Sequence, residues 1–282
     1  MWESGVVIVI VATTEEQLSS ICGELVDRGA GEVRFLAPGG RRRLVLASID
    51  DEALAWRVAA DLRAGGRIAV ARPDGGGRLE AWVRHTAPVT FGERLTVCFA
   101  WSEHDRSELP HLIELGPGGF GNGEHPATRL LIEQLLQRIE GGERVLDLGC
   151  GSGVLGLCAL ELGARDVVAT DLKTEAVEAT MRNACLNGMD GWMQAAVVSP
   201  DELDGTFDVI VANVGRDAVV GLAGELVRLV GPGGWLGVSG ISAAQCSQVA
   251  EFLRPLEEID RQTSGEWSAL ILRKPDHPSP NG

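Results

Sequence analysis

Near its N-terminus the sequence has no apolar run longer than residues 5–12, which is too short to cross a bilayer. Glu3 stands where a secretion signal would carry basic charge, so the expectation is a cytoplasmic protein without membrane partners. The six cysteines, Cys22, Cys98, Cys150, Cys158, Cys185 and Cys246, form no CxxC pair, which indicates neither a zinc knuckle nor a disulfide framework. His85, His104, His111 and His277 lack metal-ligand spacing, and no metal site is expected. Basic charge is scarce too: 25 Lys and Arg against 40 Asp and Glu leave a net charge of -15. That field repels phosphate backbones, which argues against a bulk nucleic-acid surface and suits a basic protein or amine substrate.

What is present fits a globular chain. The apolar share of 45% and charged share of 23% are near the average for folded domains, and 282 residues allow two units with cores of their own. A β-branched run at 6–11 is followed by Thr13, Thr14, Glu15 and Glu16, an N-cap pattern, and then by helical spacing of Leu18, Ile21, Cys22 and Leu25 up to Gly29. Runs at 32–36 and 44–49, separated by Pro38, Gly39 and Gly40, read as a hairpin. Asp50 and Asp51 open a second helix carrying Leu54, Val58 and Leu62, closed by Gly65 and Gly66, and 68–71 reads as one more strand. The resulting βαββαβ order is a split βαβ, ferredoxin-like α+β unit with two helices on one sheet face and the other face free to bind. It is placed at residues 1–73, with a linker opening at the glycine-rich stretch 73–77.

Beyond the linker the pattern alternates. Strand-like segments at 144–149, 166–171, 194–198, 207–213 and 235–240 are interleaved with helical stretches at 127–138, 154–162, 174–186 and 217–230. A parallel sheet with helices on both faces follows, an α/β fold of Rossmann type.

The strand at Val145, Leu146, Asp147 and Leu148 runs into Gly149, Cys150, Gly151, Ser152 and Gly153 and then a helix. Glycines at such a turn allow a sharp bend and close approach to a ligand. Asp171 stands 22 positions after Gly149 at the end of the next strand, where a carboxylate can accept both ribose hydroxyls of an adenosyl ligand or simply cap a helix. The acidic lead Asp147 and the GxGxG spacing separate this loop from a dinucleotide fingerprint and favour a ligand bearing an ammonium group over a pyrophosphate. Asn213 ends its strand at the sheet's carboxyl edge, where its amide can bind and aim an amine, or merely close a turn.

The segment 115–129, which reads LGPGGFGNGEHPATR, is similar to the LDPGxAFGTGxHPTT stretch of the PrmA family, methyltransferases that modify amines of large-subunit ribosomal protein eleven. Ala81-Trp82, Pro88-Val89, Gly92 to Leu95, Pro232-Gly233-Gly234 and Ser239-Gly240-Ile241 also look like that family's segments. The resemblance implies a Rossmann-like class I methyltransferase domain with a mostly parallel seven-stranded sheet at 116–275, a linker at 74–115, a substrate-recognition domain at 1–73 and a polar tail at 276–282. It further implies S-adenosylmethionine as cofactor, contacted at Thr128, Gly149, Asp171 and Asn213, to which the reading of the loop itself adds Asp147, Gly151 and Gly153, and a protein, ribosomal, amine as acceptor. The chain departs from the family at Asn122-Gly123-Glu124, at Ala127 and at Val214-Gly215-Arg216, all in the part expected to shape the acceptor pocket.

Catalytic candidates are Asn213, to aim the amine, and His125, as a base, with Glu124 as an alternative base. His125 with Pro126 could instead only fix the loop before its helix. Rival functions are a nucleic-acid base methyltransferase, for which Val214 gives no stacking platform, a methyltransferase of a peptide or small-molecule amine, and a cofactor-binding module without turnover.

Overall fold

The structure, a computed structural model, describes residues 6–36, 42–73, 88–100, 109, 111–116, 121 and 123–276. The hairpin turn at 38–40, the glycine-rich stretch 74–77, Trp101, Asn122, residues 117–120 and the tail from 277 lie outside the described residues. The chain divides into two units, 1–90 with 96–118, and 91–95 with 119–282.

The first unit contains β1 (Val7–Thr14), α1 (Leu18–Asp27), β2 (Glu32–Leu36), β3 (Arg42–Ile49), α2 (Glu52–Ala64) and β4 (Ile68–Pro73). Its sheet is antiparallel with the order β2-β3-β1-β4, the ferredoxin-like arrangement. α2 begins as expected: the Asp51 carboxylate accepts from the Leu54 amide at 3.0 Å. α1 does not. Thr13 and Thr14 stay in β1, paired with Arg43 and Arg42, and the helix starts after Gln17, whose side chain makes no cap bond.

Val7, Val9 and Val11 pack with Ile21, Leu25, Val58 and Leu62 beneath the two helices. The opposite face is not free, which corrects the expectation from the sequence. Ile8, Ile10, Leu44 and Leu46 point there and are each at most 1% exposed. An unbroken apolar run without alternation is the mark of a strand buried on both faces, and residues 6–12 carry it.

The stretch read as a linker holds three short strands, β5 (Val89–Phe91), β6 (Leu95–Phe99) and β7 (Leu112–Leu115), arranged β5-β6-β7.

In the second unit a seven-stranded sheet is built from β8 (Arg144–Leu148), β9 (Asp166–Thr170), β10 (Met193–Ala196), β11 (Phe207–Asn213), β12 (Val230–Ile241), β13 (Glu257–Ser264) and β14 (Trp267–Arg273). The order is β10-β9-β8-β11-β12-β14-β13, parallel from β10 to β12 and antiparallel at β14 and β13. The strand order reverses between β8 and β11, so a crevice opens at their carboxyl ends.

The helices are α3 (Pro126–Arg138), α4 (Val154–Glu161), α5 (Thr174–Asn187), α6 (Arg216–Gly221), α7 (Ala223–Leu229) and α8 (Ala243–Phe252). The single helix expected at 217–230 is two, broken at Leu222 between Gly221 and Gly224, where glycine weakens helix propagation. On one sheet face α6, α7 and α8 bury Val219, Leu226 and Val249 against Leu146, Ile210, Leu236 and Leu270. The other face receives α3 and α4: a Cβ on Gly237 would stand 3.0 Å from Leu131, and the Gly156 amide bonds Asp147. Among the described residues no helix is long and apolar enough to cross a membrane.

Candidate functional site

The turn after β8 is shaped by backbone sterics first. Gly149, Gly151 and Gly153 have φ of 72°, 57° and 78°, a region L side chains avoid. A Cβ on Gly149 would stand 2.5 Å from Val214 Cγ1, and one on Gly153 would stand 2.7 Å from Thr180. At these two positions the protein's own neighbours, as well as any ligand, demand glycine. The amides of Gly149 and Cys150 both bond the Thr170 carbonyl, at 2.8 and 3.0 Å, which ties the loop to the end of β9.

Asp171 follows immediately. Its two carboxylate oxygens accept from the Gly151 amide at 3.1 Å and the Lys173 amide at 3.0 Å. The N-cap of α5 is Lys173, so Asp171 is not that helix's cap. Half-buried at the mouth of the crevice, it keeps acceptor capacity, since a carboxylate offers about four lone-pair positions.

Asp147 lies on the far side of the loop, 1% exposed. Its Oδ2 accepts from the Gly156 amide at 3.0 Å, while Oδ1 has no hydrogen-bond partner among the described residues. Burial pushes its pKa from 3.8 up to about 7, against the lowering pull of the Gly156 bond and with a further push from the charge of Asp171. An orphaned carboxylate oxygen in so dry a place can accept from a cation or an N–H donor. The neighbouring Cys150 thiol is pushed up to about 12 by burial and cannot serve as a nucleophile at neutral pH.

A second cluster adjoins the first through Val214. Asn213, at the end of β11, donates from Nδ2 to Thr128 Oγ1 at 2.9 Å, and Thr128 is 1% exposed in the first turn of α3. A Cβ on Gly240 would stand 3.2 Å from Asn213 Oδ1 and 3.0 Å from the Val214 carbonyl, so Gly240 makes room for the amide. The amide group is therefore held at its nitrogen, with its oxygen left to accept.

His125 is the N-cap of α3. Its Nδ1 accepts from the Ala127 amide at 3.3 Å, Pro126 follows at the first helical position, and its ring meets Trp267 edge-on with centroids 4.9 Å apart. Glu124 beside it is exposed. The capping geometry favours the structural role for His125. Substitution of His125 by alanine is expected to cost about 1 kcal/mol of stability, as loss of a cap does, and to leave the pH profile of turnover unshifted. Thermal unfolding and a pH–rate series read the two effects separately, and a displaced profile would restore the base.

The structure thus gathers Gly149, Gly151, Gly153 and Asp171 around one loop, with Asp147 behind it and Thr128 and Asn213 beside it. The sequence names Ser152 only as part of the loop and Gly240 only as part of a family-like segment, without a role for either, and it carries no signal for Thr180 and Asn183. A cavity of about 450 Å³ between Gln137, Asp208, Trp235 and Arg273 lies at the opposite, amino end of the strands and is no part of this site.

Counting strands from β8, the sheet reads 3-2-1-4-5-7-6 with its seventh strand antiparallel, and a glycine turn follows the first strand and a carboxylate the second. Together these define a Rossmann-like class I methyltransferase fold. The profile described as "Ribosomal protein L11 methyltransferase (PrmA)" matches residues 78–275, and the chain belongs to that family.

A ribosomal protein L11 methyltransferase of Citrifermentans bemidjiense is 41% identical over 202 residues, 69% of this chain and 66% of that protein. One from Marinobacter nauticus is 37% identical over 198 residues, 70% of this chain and 66% of the relative. The matched stretch therefore spans just under two thirds of these relatives' length. The crystal structure of a ribosomal protein L11 methylase from Lactobacillus delbrueckii subsp. bulgaricus superposes with a TM-score of 0.62 at 28% identity, covering 66% of this chain and 98% of that one.

Proposed function

We propose that the chain is an S-adenosylmethionine-dependent N-methyltransferase whose acceptor is an amine of a ribosomal protein, L11 by the names of its relatives. The observation that carries the reading is the junction of Gly151 with Asp171 at the sheet's carboxyl edge, backed by the orphaned Asp147 oxygen. These residues fit the cofactor. Asp171 would accept the ribose hydroxyls, the backbone of 149–153 would lie along the ligand, and Asp147 would face its cationic end. Thr128 and Asn213 would flank the methionine part.

When bound, S-adenosylmethionine supplies an electrophilic methyl group on a sulfonium. The chain's own task is then to align an amine with it, and such positioning can contribute roughly 7 to 11 kcal/mol. Asn213 Oδ1 accepts one amine N–H and turns the nitrogen lone pair toward the donor, while the Thr128 bond keeps the amide from rotating. The amine must arrive neutral. A lysine with a pKa of about 10.4 is deprotonated roughly once in a few thousand molecules at pH 7, a cost of about 4 to 5 kcal/mol that desolvation in the crevice reduces. In this reading the first 73 residues recognise the protein acceptor and 116–275 carry the chemistry. With both faces of its sheet covered, the first unit has its helices' outer sides and strand edges to offer a partner.

The position after Asn213 speaks against a nucleic-acid base as acceptor. Val214 packs against Gly149 and presents no aromatic face for a flipped base. The test is transfer of a labelled methyl group from S-adenosylmethionine in a cell lysate, followed by identification of the labelled protein. Label on amines of L11 supports the reading. Label on another amine moves the substrate, and ligand binding without any label leaves a cofactor-binding module.

A further inference from the structure

Resting on the cofactor reading above, we propose that Ser152 is a positioning residue that couples occupancy of the glycine loop to Gly121 and to residues 123–128 on the acceptor side of the site. Ser152 is 2% exposed, and a hydroxyl that deep costs free energy unless it is bonded. It is bonded on both sides. Its Oγ donates to the Gly121 carbonyl and accepts from the Val154 amide at 3.4 Å.

The rest of the loop is held from behind by α5. Asn183 Nδ2 donates to the Ser152 carbonyl at 2.8 Å, and the single hydrogen of Thr180 Oγ1 is shared between Cys150 Sγ at 3.2 Å and the Gly151 carbonyl at 3.4 Å. Thr180 and Asn183 are buried, at 0% and 2% exposure. These bonds leave the loop other anchors when the Ser152 hydroxyl is removed. The bond to Gly121 is the part that reaches forward.

Gly121, with φ of 94°, precedes Gly123, Glu124 and the cap His125, and the same run of chain delivers Thr128 to Asn213. On the other side of Ser152, the Gly151 amide bonds the Asp171 carboxylate. Ribose hydroxyls arriving at Asp171 would fix that carboxylate and, through it, Gly151 and Ser152. The hydroxyl then passes the restraint to Gly121. Filling the cofactor site would thereby order the approach to the acceptor side, and by linkage the acceptor would tighten the cofactor to the same degree.

The test is hydrogen–deuterium exchange of the full chain with and without S-adenosylhomocysteine, read at the amides of Gly123, Glu124, His125 and Ala127, with calorimetry alongside. In the parent protein the ligand is expected to slow exchange there by about fivefold or more, the lower range of measured site-to-site couplings. In Ser152→Ala, compared at a ligand concentration that calorimetry shows to be saturating, the protection should fall below about twofold, and Ser152→Thr, which keeps the hydroxyl, should restore it. A general loss of packing would not produce a deficit that appears only with ligand and returns with a hydroxyl. Ligand heat in the parent without protection at these amides overturns the inference whatever the variants do, and so does equal protection in Ser152→Ala. No heat in the parent overturns the cofactor reading and this inference with it.

Discussion

Asn213→Ala is expected to lower kcat by about 100-fold or more, while the apparent affinity for S-adenosylmethionine falls by roughly tenfold at most. Two physical reasons set the size. The Asn213 amide is held at its nitrogen by Thr128, and Gly240 leaves room for its oxygen, so the protein orients the acceptor oxygen without help from the substrate. A displacement of the acceptor of about 1 Å is enough to cost two orders of magnitude in a reaction that depends on alignment. Thr128→Val, which removes the hydroxyl and keeps the shape, should reproduce part of the loss in kcat. Steady-state kinetics separates the cases: a rise in KM with kcat intact would make Asn213 a binding residue only.

Asp147→Asn is expected to change stability and binding in opposite directions. Burial raises the Asp147 pKa from 3.8 to about 7, so near neutral pH the folded chain favours a proton that the unfolded chain has released. The stability associated with that proton is complete below about pH 4 and lost as the pH rises through about 7. A difference of roughly three units corresponds to about 4 kcal/mol, an upper figure for what the buried charge costs at about pH 8.

The asparagine variant carries no such charge, and its oxygen can still accept from Gly156. Its melting temperature should therefore exceed that of the parent at about pH 8, with the gap narrowing by about pH 5 and closing below about pH 4. At the same time the variant loses the anion that would face a cationic ligand, and its affinity for S-adenosylmethionine should fall by about tenfold or more. Melting curves at two pH values, each with and without ligand, read both effects. A variant less stable at high pH would show that the carboxylate is needed by the fold itself. On the proposed reading, the fold keeps a buried charge that costs stability where a cationic ligand would meet it, a common exchange of stability for activity.

Much of the site was legible because its parts are close in sequence or mark strand ends. The loop 149–153, Asp171 and Asn213 each follow directly from an apolar run, and an α/β sheet binds its ligands at those ends. The clamps were not legible. Ser152 meets Asn183 and Gly121 across 31 positions in each direction, and no periodicity connects them. The outer strand Glu257–Ser264 is almost wholly exposed and polar, so it lacks the alternation by which strands are recognised, although Trp267–Arg273 beside it has a buried apolar run. In the first unit the apolar run at 6–11 marks a strand, and its lack of alternation is the sign that the second sheet face is covered as well.

Everything proposed for the site requires that the glycine turn and Asp171 together hold an adenosyl ligand. Isothermal titration of the purified chain with S-adenosylhomocysteine, run beside Asp171→Ala, measures this directly. Two hydrogen bonds to an ionised acceptor at about 1.5 to 3 kcal/mol each predict clear binding by the parent and a dissociation constant raised by at least about 100-fold in the variant. Equal heats from the two proteins, or none from the parent, would contradict it.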